Sequence, residues 1–161
     1  NNRTMNRLSQ ILEETSVKVG IKASSKKRVF EQASLLFESK CGVARDKVFN
    51  SLFSREKLGS TGLGNEIAIP HGRINGIDQA FSVVMSLAEP VAFDANDEKP
   101  VLLLVFLLVP INAEQSHLDI LSDVAEMLSD VTFVSGLKKS EDAKSLYQKL
   151  RNWTSVDTKI Y

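Results

Sequence analysis

Hydrophobic residues recur along the chain with two alternating periods. Leu8, Ile11 and Leu12 form a short helical stripe that reads as a lid on the core, and Val17, Val19 and Ile21 alternate as a short strand. A helix follows, capped by Ser24 or Ser25 and running to about Lys40. Its apolar residues Val29, Phe30, Ala33, Leu36 and Phe37 share one face, and Gly42 stops it. A second helix carries Val48, Phe49, Leu52 and Phe53 on one side, with Arg55 near its C-terminal end. Residues 59–65 read as a loop and 66–69 as a short strand. Residues 80–88 mix β-branched and polar side chains as a half-buried strand ended by Glu89-Pro90; Phe93 falls on a brief return strand and 96–100 is a surface loop. The run 101–109 has no polar face at all, which predicts a central strand buried on both sides and ended by Pro110. Ser116-His117-Leu118-Asp119 reads as a capping box opening a helix. That helix would bury Leu118, Leu121, Ala125 and Leu128, widened by Ile120, Val124 and Met127. Helices over 131–137 and 141–150 close the chain, and Trp153 packs this end down.

This order of elements predicts an α/β protein: a single domain over residues 1–161 with a mixed β-sheet flanked by helices on both faces. The polar opening, residues 1–7, is expected to be disordered. With 161 residues the chain can bury a proper core. Lys plus Arg and Asp plus Glu both number 20, so no cationic excess points to nucleic acid. Cys41 is the only cysteine, which excludes an intrachain disulfide and fits a reducing cytoplasm. The 101–109 run is too short to cross a bilayer, and no N-terminal signal pattern is present. Lys26, Lys27 and Arg28 put the wrong sign on a helix N-terminus. They read as a solvated face carrying a small penalty, with a basic docking patch as the sharper alternative.

The candidate chemistry lies between Arg55 and Arg73, in REKLGSTGLGNEIAIPHGR. Glycines at 59, 62 and 64, hydroxyls at Ser60 and Thr61, and an arginine precede a single imidazole, His71. Gly-rich backbone can form an anion nest, and a guanidinium fork suits phosphate oxygens. No Gly-Lys-Ser/Thr follows, so a P-loop is excluded, and no GxGxxG lies between a strand and a helix. A phosphoryl group carried by His71 itself fits better than a bound nucleotide. The Pro70-His71-Gly72 turn would hold the ring stiffly, and Gly72 would let a partner approach it. Arg55 alone would be read as a cation complementing a helix dipole; the loop and histidine after it favour a site role. Ser60 and Thr61 serve equally well as turn and capping hydroxyls or as phosphate contacts with Gly62. His117 falls in a first helical turn just past the central strand, where ligand sites of open α/β sheets lie.

The segment closely resembles the active-site motif of the mannitol/fructose-type IIA domains of the bacterial sugar phosphotransferase system, and the nitrogen-regulatory branch in particular. The resemblance extends from about Leu8 to about Leu150, including the LSQILEE…SSKKRVFE opening. It implies the type-2 IIA fold, a phosphoryl group accepted on His71 from a phosphohistidine carrier of the HPr/NPr kind, and active-site roles for Arg55 and His117. It implies a relay and regulator of target proteins more than a stand-alone enzyme, with no cofactor, no metal, no nucleic-acid partner and no membrane insertion. Leu58, Leu63 and Arg73 are the expected partner-binding residues; the leucines serve equally well as anchors of the loop. Glu66 departs from the pattern, standing where a small residue, often Gly, is expected and placing a negative charge near the anion site. Three rivals remain: a sugar-specific IIA component handing phosphate to a IIB domain; a metal site built from His71, His117 and a carboxylate such as Glu66, for which no HExxH or CxxC pattern speaks; and a binding protein acting as a switch, with phosphorylation merely changing its partners, which overlaps with the regulatory reading.

Overall fold

The computed structural model describes residues 6–155; the polar opening 1–5 and residues 156–161 lie outside the described residues. Five helices and six strands are found there: β1 (Val17–Ile21), α1 (Lys26–Cys41), α2 (Arg45–Leu58), β2 (Gly62–Gly64), β3 (Ile67–Ala68), β4 (His71–Ile74), β5 (Phe81–Val91), β6 (Val101–Pro110), α3 (Gln115–Leu128), α4 (Val131–Lys138) and α5 (Ala143–Asn152). They form one domain around a mixed sheet ordered β1-β5-β6-β3-β2, with β4 pairing β6 beyond β3. β6 is central. It runs antiparallel to β5 on one side and parallel to β3 and β4 on the other.

The apolar run of β6 divides between two cores, as a strand covered on both faces must. Leu103, Val105 and Leu107 face α3, α4 and α5, together with Ile120, Val124 and Leu146. Leu104, Phe106 and Leu108 face α1 and α2, where Phe30 lies edge-on to both Phe53 and Phe106. The N-terminal stripe closes the first core as a 3-10 turn, Leu8–Gln10, with Leu8 and Leu12 buried. Asn6, for which disorder was expected, is buried; its amide donates to the carbonyls of Leu150 and Trp153, both at 2.9 Å.

Several local expectations change. Val17 and Val19 join one core and Ile21 the other, because the β1–β5 register shifts between Lys18 and Ile21, where Gly20 adopts φ 74°. β5 is fully buried through its middle and runs on past Glu89-Pro90 to Val91 behind a second irregularity. Phe93 sits in the loop beyond it, buried but on no strand. In α1, Ser25 is the N-cap and accepts from the Arg28 N–H, and Gly42 ends the helix at φ 76°. Lys26 is not solvated. It turns inward to the Glu56 carboxylate at 2.7 Å and the Phe93 carbonyl at 2.9 Å, so a buried acid outweighs the unfavourable helix end. α3 starts one residue before Ser116, with Glu114 as N-cap, and its core face is Ile120, Val124, Met127 and Leu128; Leu118 and Leu121 are only half-buried.

Candidate functional site

His71 does not lie on a turn. Ile67 and Ala68 pair with Leu103 and Leu104, and His71 to Ile74 pair with Leu107 to Pro110, in one continuing register. Pro70 has no N–H to give and splits the ladder into β3 and β4, yet its carbonyl still accepts from the Leu107 N–H at 3.0 Å. The imidazole is therefore carried by a strand laid on the central strand. Gly72 has a different purpose from the one expected. A Cβ there would collide with Ser51 of α2, whose hydroxyl donates to the Arg73 carbonyl at 2.7 Å, so the glycine lets α2 close on β4.

His71, Arg55 and His117 meet along one cleft of about 550 Å³. α2 contributes Asn50, Ser51, Ser54 and Arg55; β4 contributes residues 71–73; α3 contributes His117. Leu107, Val109, Leu118 and Leu121 make its apolar floor, which accounts for the half-burial of the α3 leucines. The polar residues Asn50, Ser51 and Ser54 escaped the sequence reading. Their helical spacing with Arg55 on one side of α2 is the signal that could have found them.

Each ring is fixed through Nδ1. His71 Nδ1 lies 2.9 Å from the Ile69 carbonyl. A carbonyl only accepts, so Nδ1 carries a proton, and in the neutral ring Nε2 is left with a free lone pair. His117 Nδ1 instead accepts from the Glu114 N–H at 3.0 Å, which leaves the ring proton on Nε2. Burial lowers the His71 pKa below its ordinary value, and the Arg55 charge lowers it further; the Ile69 hydrogen bond and the Glu56 charge oppose both. The net lowering favours the neutral ring. Arg55 Nη1 donates to the Gly59 carbonyl at 2.8 Å, which orients the guanidinium from the loop side.

The Gly-rich loop does not line this cleft. The Thr61 hydroxyl and N–H both go to Glu56, the Ser60 hydroxyl to the Phe93 carbonyl, and the Gly62 N–H to the Ser60 hydroxyl. Gly62 also packs where a Cβ would stand 2.7 Å from Ala95 Cβ. Of the two roles open to Ser60 and Thr61, these contacts supply the turn-and-capping one. Leu58 is 85% exposed and Leu63 43% exposed, so neither anchors the loop in the core; Arg73 is exposed on the cleft rim. Glu66 lies outside the cleft wall. It adopts φ 69°, which explains the preference for glycine there, and its carboxylate pairs with Lys138 at 3.1 Å. Among the described residues no three His, Cys, Asp or Glu side chains cluster to hold a metal ion, and no helix is long and apolar enough to cross a membrane.

The sequence profile of the family described as phosphoenolpyruvate-dependent sugar phosphotransferase system, EIIA 2, matches residues 10–153. The nitrogen regulatory protein of Pseudomonas aeruginosa is 44% identical over 145 residues, covering 89% of this chain and 94% of that protein. That of Escherichia coli is 40% identical over 149 residues, covering 92% and 91%. The crystal structure of the nitrogen regulatory protein IIA-Ntr from Neisseria meningitidis superposes with a TM-score of 0.83 at 43% identity, covering 88% of this chain and 97% of that one. The IIA mannitol structure from E. coli, 23% identical with a TM-score of 0.70, shares the fold. The chain belongs to the EIIA 2 family of the phosphoenolpyruvate-dependent sugar phosphotransferase system, in its nitrogen-regulatory branch.

Proposed function

We propose that this chain is a cytoplasmic phosphoryl-accepting regulator: His71 takes a phosphoryl group from a phosphohistidine carrier of the HPr/NPr kind, and the phosphorylation state governs binding to target proteins. The observation that carries the reading is the Nδ1–Ile69 hydrogen bond, which leaves Nε2 of a neutral ring as the nucleophile in a cleft shared with Arg55 and His117. Nε2 attacks phosphorus in line. The new P–N bond forms as the carrier's P–N bond breaks, and the carrier imidazole departs with that electron pair. His71 keeps its Nδ1 proton, and the Ile69 carbonyl stabilises the positive charge the ring acquires. Charge on the equatorial oxygens is met by Arg55 and by the Nε2–H of His117. The apolar floor excludes water from the transfer.

Leu58, Leu63 and Arg73 are the proposed contacts for the carrier; Arg73 stands on the cleft rim and the two leucines lie exposed on the last turn of α2 and on β2. The exposure of both leucines supports this, since neither contributes to the core. Leu63→Asp should weaken carrier binding and leave the melting temperature unchanged.

The deciding experiment is incubation with labelled phosphoenolpyruvate and the two upstream phosphotransferase proteins. An acid-labile, base-stable label at unit stoichiometry is expected on the wild type, on Nε2, and none on His71→Ala. A folded His71→Ala protein labelled like the wild type would overturn the assignment. Efficient onward transfer to a sugar-specific IIB protein would favour the transport role instead.

A further inference from the structure

Glu56 is almost wholly buried, 4% exposed, in the last turn of α2 next to Arg55, yet it does not line the cleft. Its carboxylate has three partners. Oε1 accepts from the Thr61 hydroxyl at 2.5 Å; Oε2 accepts from the Thr61 N–H at 3.0 Å and pairs with Lys26 Nζ at 2.7 Å. A buried ion pair is weak evidence of stabilisation, because desolvation offsets the attraction; its better-attested use is to fix one arrangement. The contacts beyond Thr61 show what is fixed. The Thr61 carbonyl accepts from the Ile69 N–H at 3.1 Å, and the Ile69 carbonyl in turn accepts the Nδ1–H of His71 at 2.9 Å. On the other side, Arg55 reaches the Gly59 carbonyl of the same loop. Two adjacent residues of α2 therefore grip the loop at positions 59 and 61, and the loop grips the residue that orients the imidazole.

We propose that Glu56, through Thr61, is a positioning residue for the phosphoryl acceptor, holding the Ile69 carbonyl where it locks the His71 ring with Nε2 free. The inference rests on the phosphoryl-acceptor reading of His71 and extends it to a residue three hydrogen-bonded links away. The coupling is positional and not a charge relay: the N–H and C=O of Thr61 belong to different peptide units, as do those of Ile69, so no proton passes along the chain. Lys26 has the supporting part of keeping the carboxylate from being buried alone, and it ties α1 to the same point. The groups charged or titratable around the ring are Arg55 and Glu56 from α2, Arg73 from β4 and His117 from α3.

Thr61→Val removes the hydroxyl at nearly constant shape, and Thr61→Ser restores it. Two readouts are taken on the full chain. One is the ¹⁵N NMR signature of the His71 ring in the unphosphorylated protein, which needs no carrier. The other is single-turnover labelling by the phosphorylated carrier over a range of carrier concentrations. In Thr61→Val the ring signals should move from the Nδ1–H form toward an average of tautomers. The maximal labelling rate should fall on the order of 10²-fold, as for a reacting group displaced by about 1 Å, with the half-saturating carrier concentration unchanged. Thr61→Ser should match the wild type in both. Glu56→Gln made together with Lys26→Met, which orphans no buried cation, attacks the same chain from its far end and carries the same expectation should Thr61→Val fail to fold. Ser82→Ala, which removes a buried hydrogen bond to the Phe106 carbonyl, controls for lost stability alone and should leave the ring signals in place. A folded Thr61→Val protein with wild-type ring signals would overturn the proposal, and so would Ser82→Ala shifting them equally. Failure of the wild type to be labelled would count against the phosphoryl reading, while the ring signals would still decide the positioning.

Discussion

The two imidazoles of the cleft are held by opposite hydrogen bonds. The strand-borne ring of His71 donates its Nδ1–H to a carbonyl and keeps a lone pair on Nε2. The helix-borne ring of His117 accepts at Nδ1 from a backbone N–H and keeps a proton on Nε2. In the proposed transfer this suits the first to attack phosphorus and the second to donate to its oxygens. The backbone decides which is which. Near a break in a strand ladder a free carbonyl is available, and in the first turn of a helix a free N–H is available. Residue type alone assigns the same chemistry to both histidines; the element that carries each one separates them.

The change that breaks this comparison outright is Val105→Asp. Val105 is fully buried in β6, two residues before the partner of His71, and the same strand forms the cleft floor beneath α3. An unpaired carboxylate there should cost about 4 kcal/mol or more, at the upper end for single substitutions. The thermal midpoint should collapse, and both rings should lose their distinct NMR signatures together. An unaltered melt would mean that the two sites do not share this support.

Next in size are substitutions that remove a donor and keep the nucleophile. Arg55→Ala should slow labelling of His71 on the order of 10²–10³-fold, as loss of one oxyanion donor does elsewhere. Arg55→Lys should recover only part of that, because an ammonium lacks the planar fork that holds Gly59 and matches phosphate oxygens. His117→Ala should also be labelled slowly but to full stoichiometry, with onward transfer suffering more than acceptance. Single-turnover rates check both, and wild-type rates in either variant would remove that residue from the site.

What the sequence made legible follows from how local each signal is. The central strand declared itself because nine consecutive apolar residues cannot be half-solvated, and Arg55, His71 and His117 were marked by a long motif and by positions beside a helix end and a strand end. Errors arose where a local rule met a tertiary contact. Pro70 looked like the end of a strand, but a neighbour to β6 on one side can lose one ladder bond and continue. Gly72 looked open to a partner, but Ser51 fills the space, a fact that resides in α2. For Ser60 and Thr61 the sequence leaves turn hydroxyl and phosphate contact equally open; the inward turn of Glu56, opposite Lys26 of the neighbouring helix, is the tertiary contact that takes both Thr61 donors.

A smaller effect sharpens the comparison through pH. Burial and the Arg55 charge lower the His71 pKa, so the neutral, nucleophilic ring should persist as pH falls past the free imidazole value of about 6.5 and protonate only below it. Removing Arg55 deletes one of the lowering causes, so Arg55→Ala should raise the midpoint. An NMR titration of the His71 ring reads both, and a wild-type midpoint above that of free imidazole would contradict the assigned causes.

The smallest expected effect tests the helix-borne ring alone. Glu114→Pro deletes the one N–H that His117 Nδ1 accepts, while the N-cap φ of −87° lies near the range proline adopts and α3 begins only at the next residue. The helix should therefore survive, and the fixed tautomer of His117 should not. Without that donor the ring samples both tautomers, and part of the population presents a lone pair where the proposed transfer needs a proton for the phosphoryl oxygens. One hydrogen bond of this kind is worth about 0.5–1.5 kcal/mol, so labelling of His71 should slow only about 2- to 10-fold. The His117 ¹⁵N signals should shift toward the average while those of His71 stay in place. Movement of both sets would show that the two rings are coupled across the cleft, and the contrast between a strand-set nucleophile and a helix-set donor would no longer hold as two independent devices.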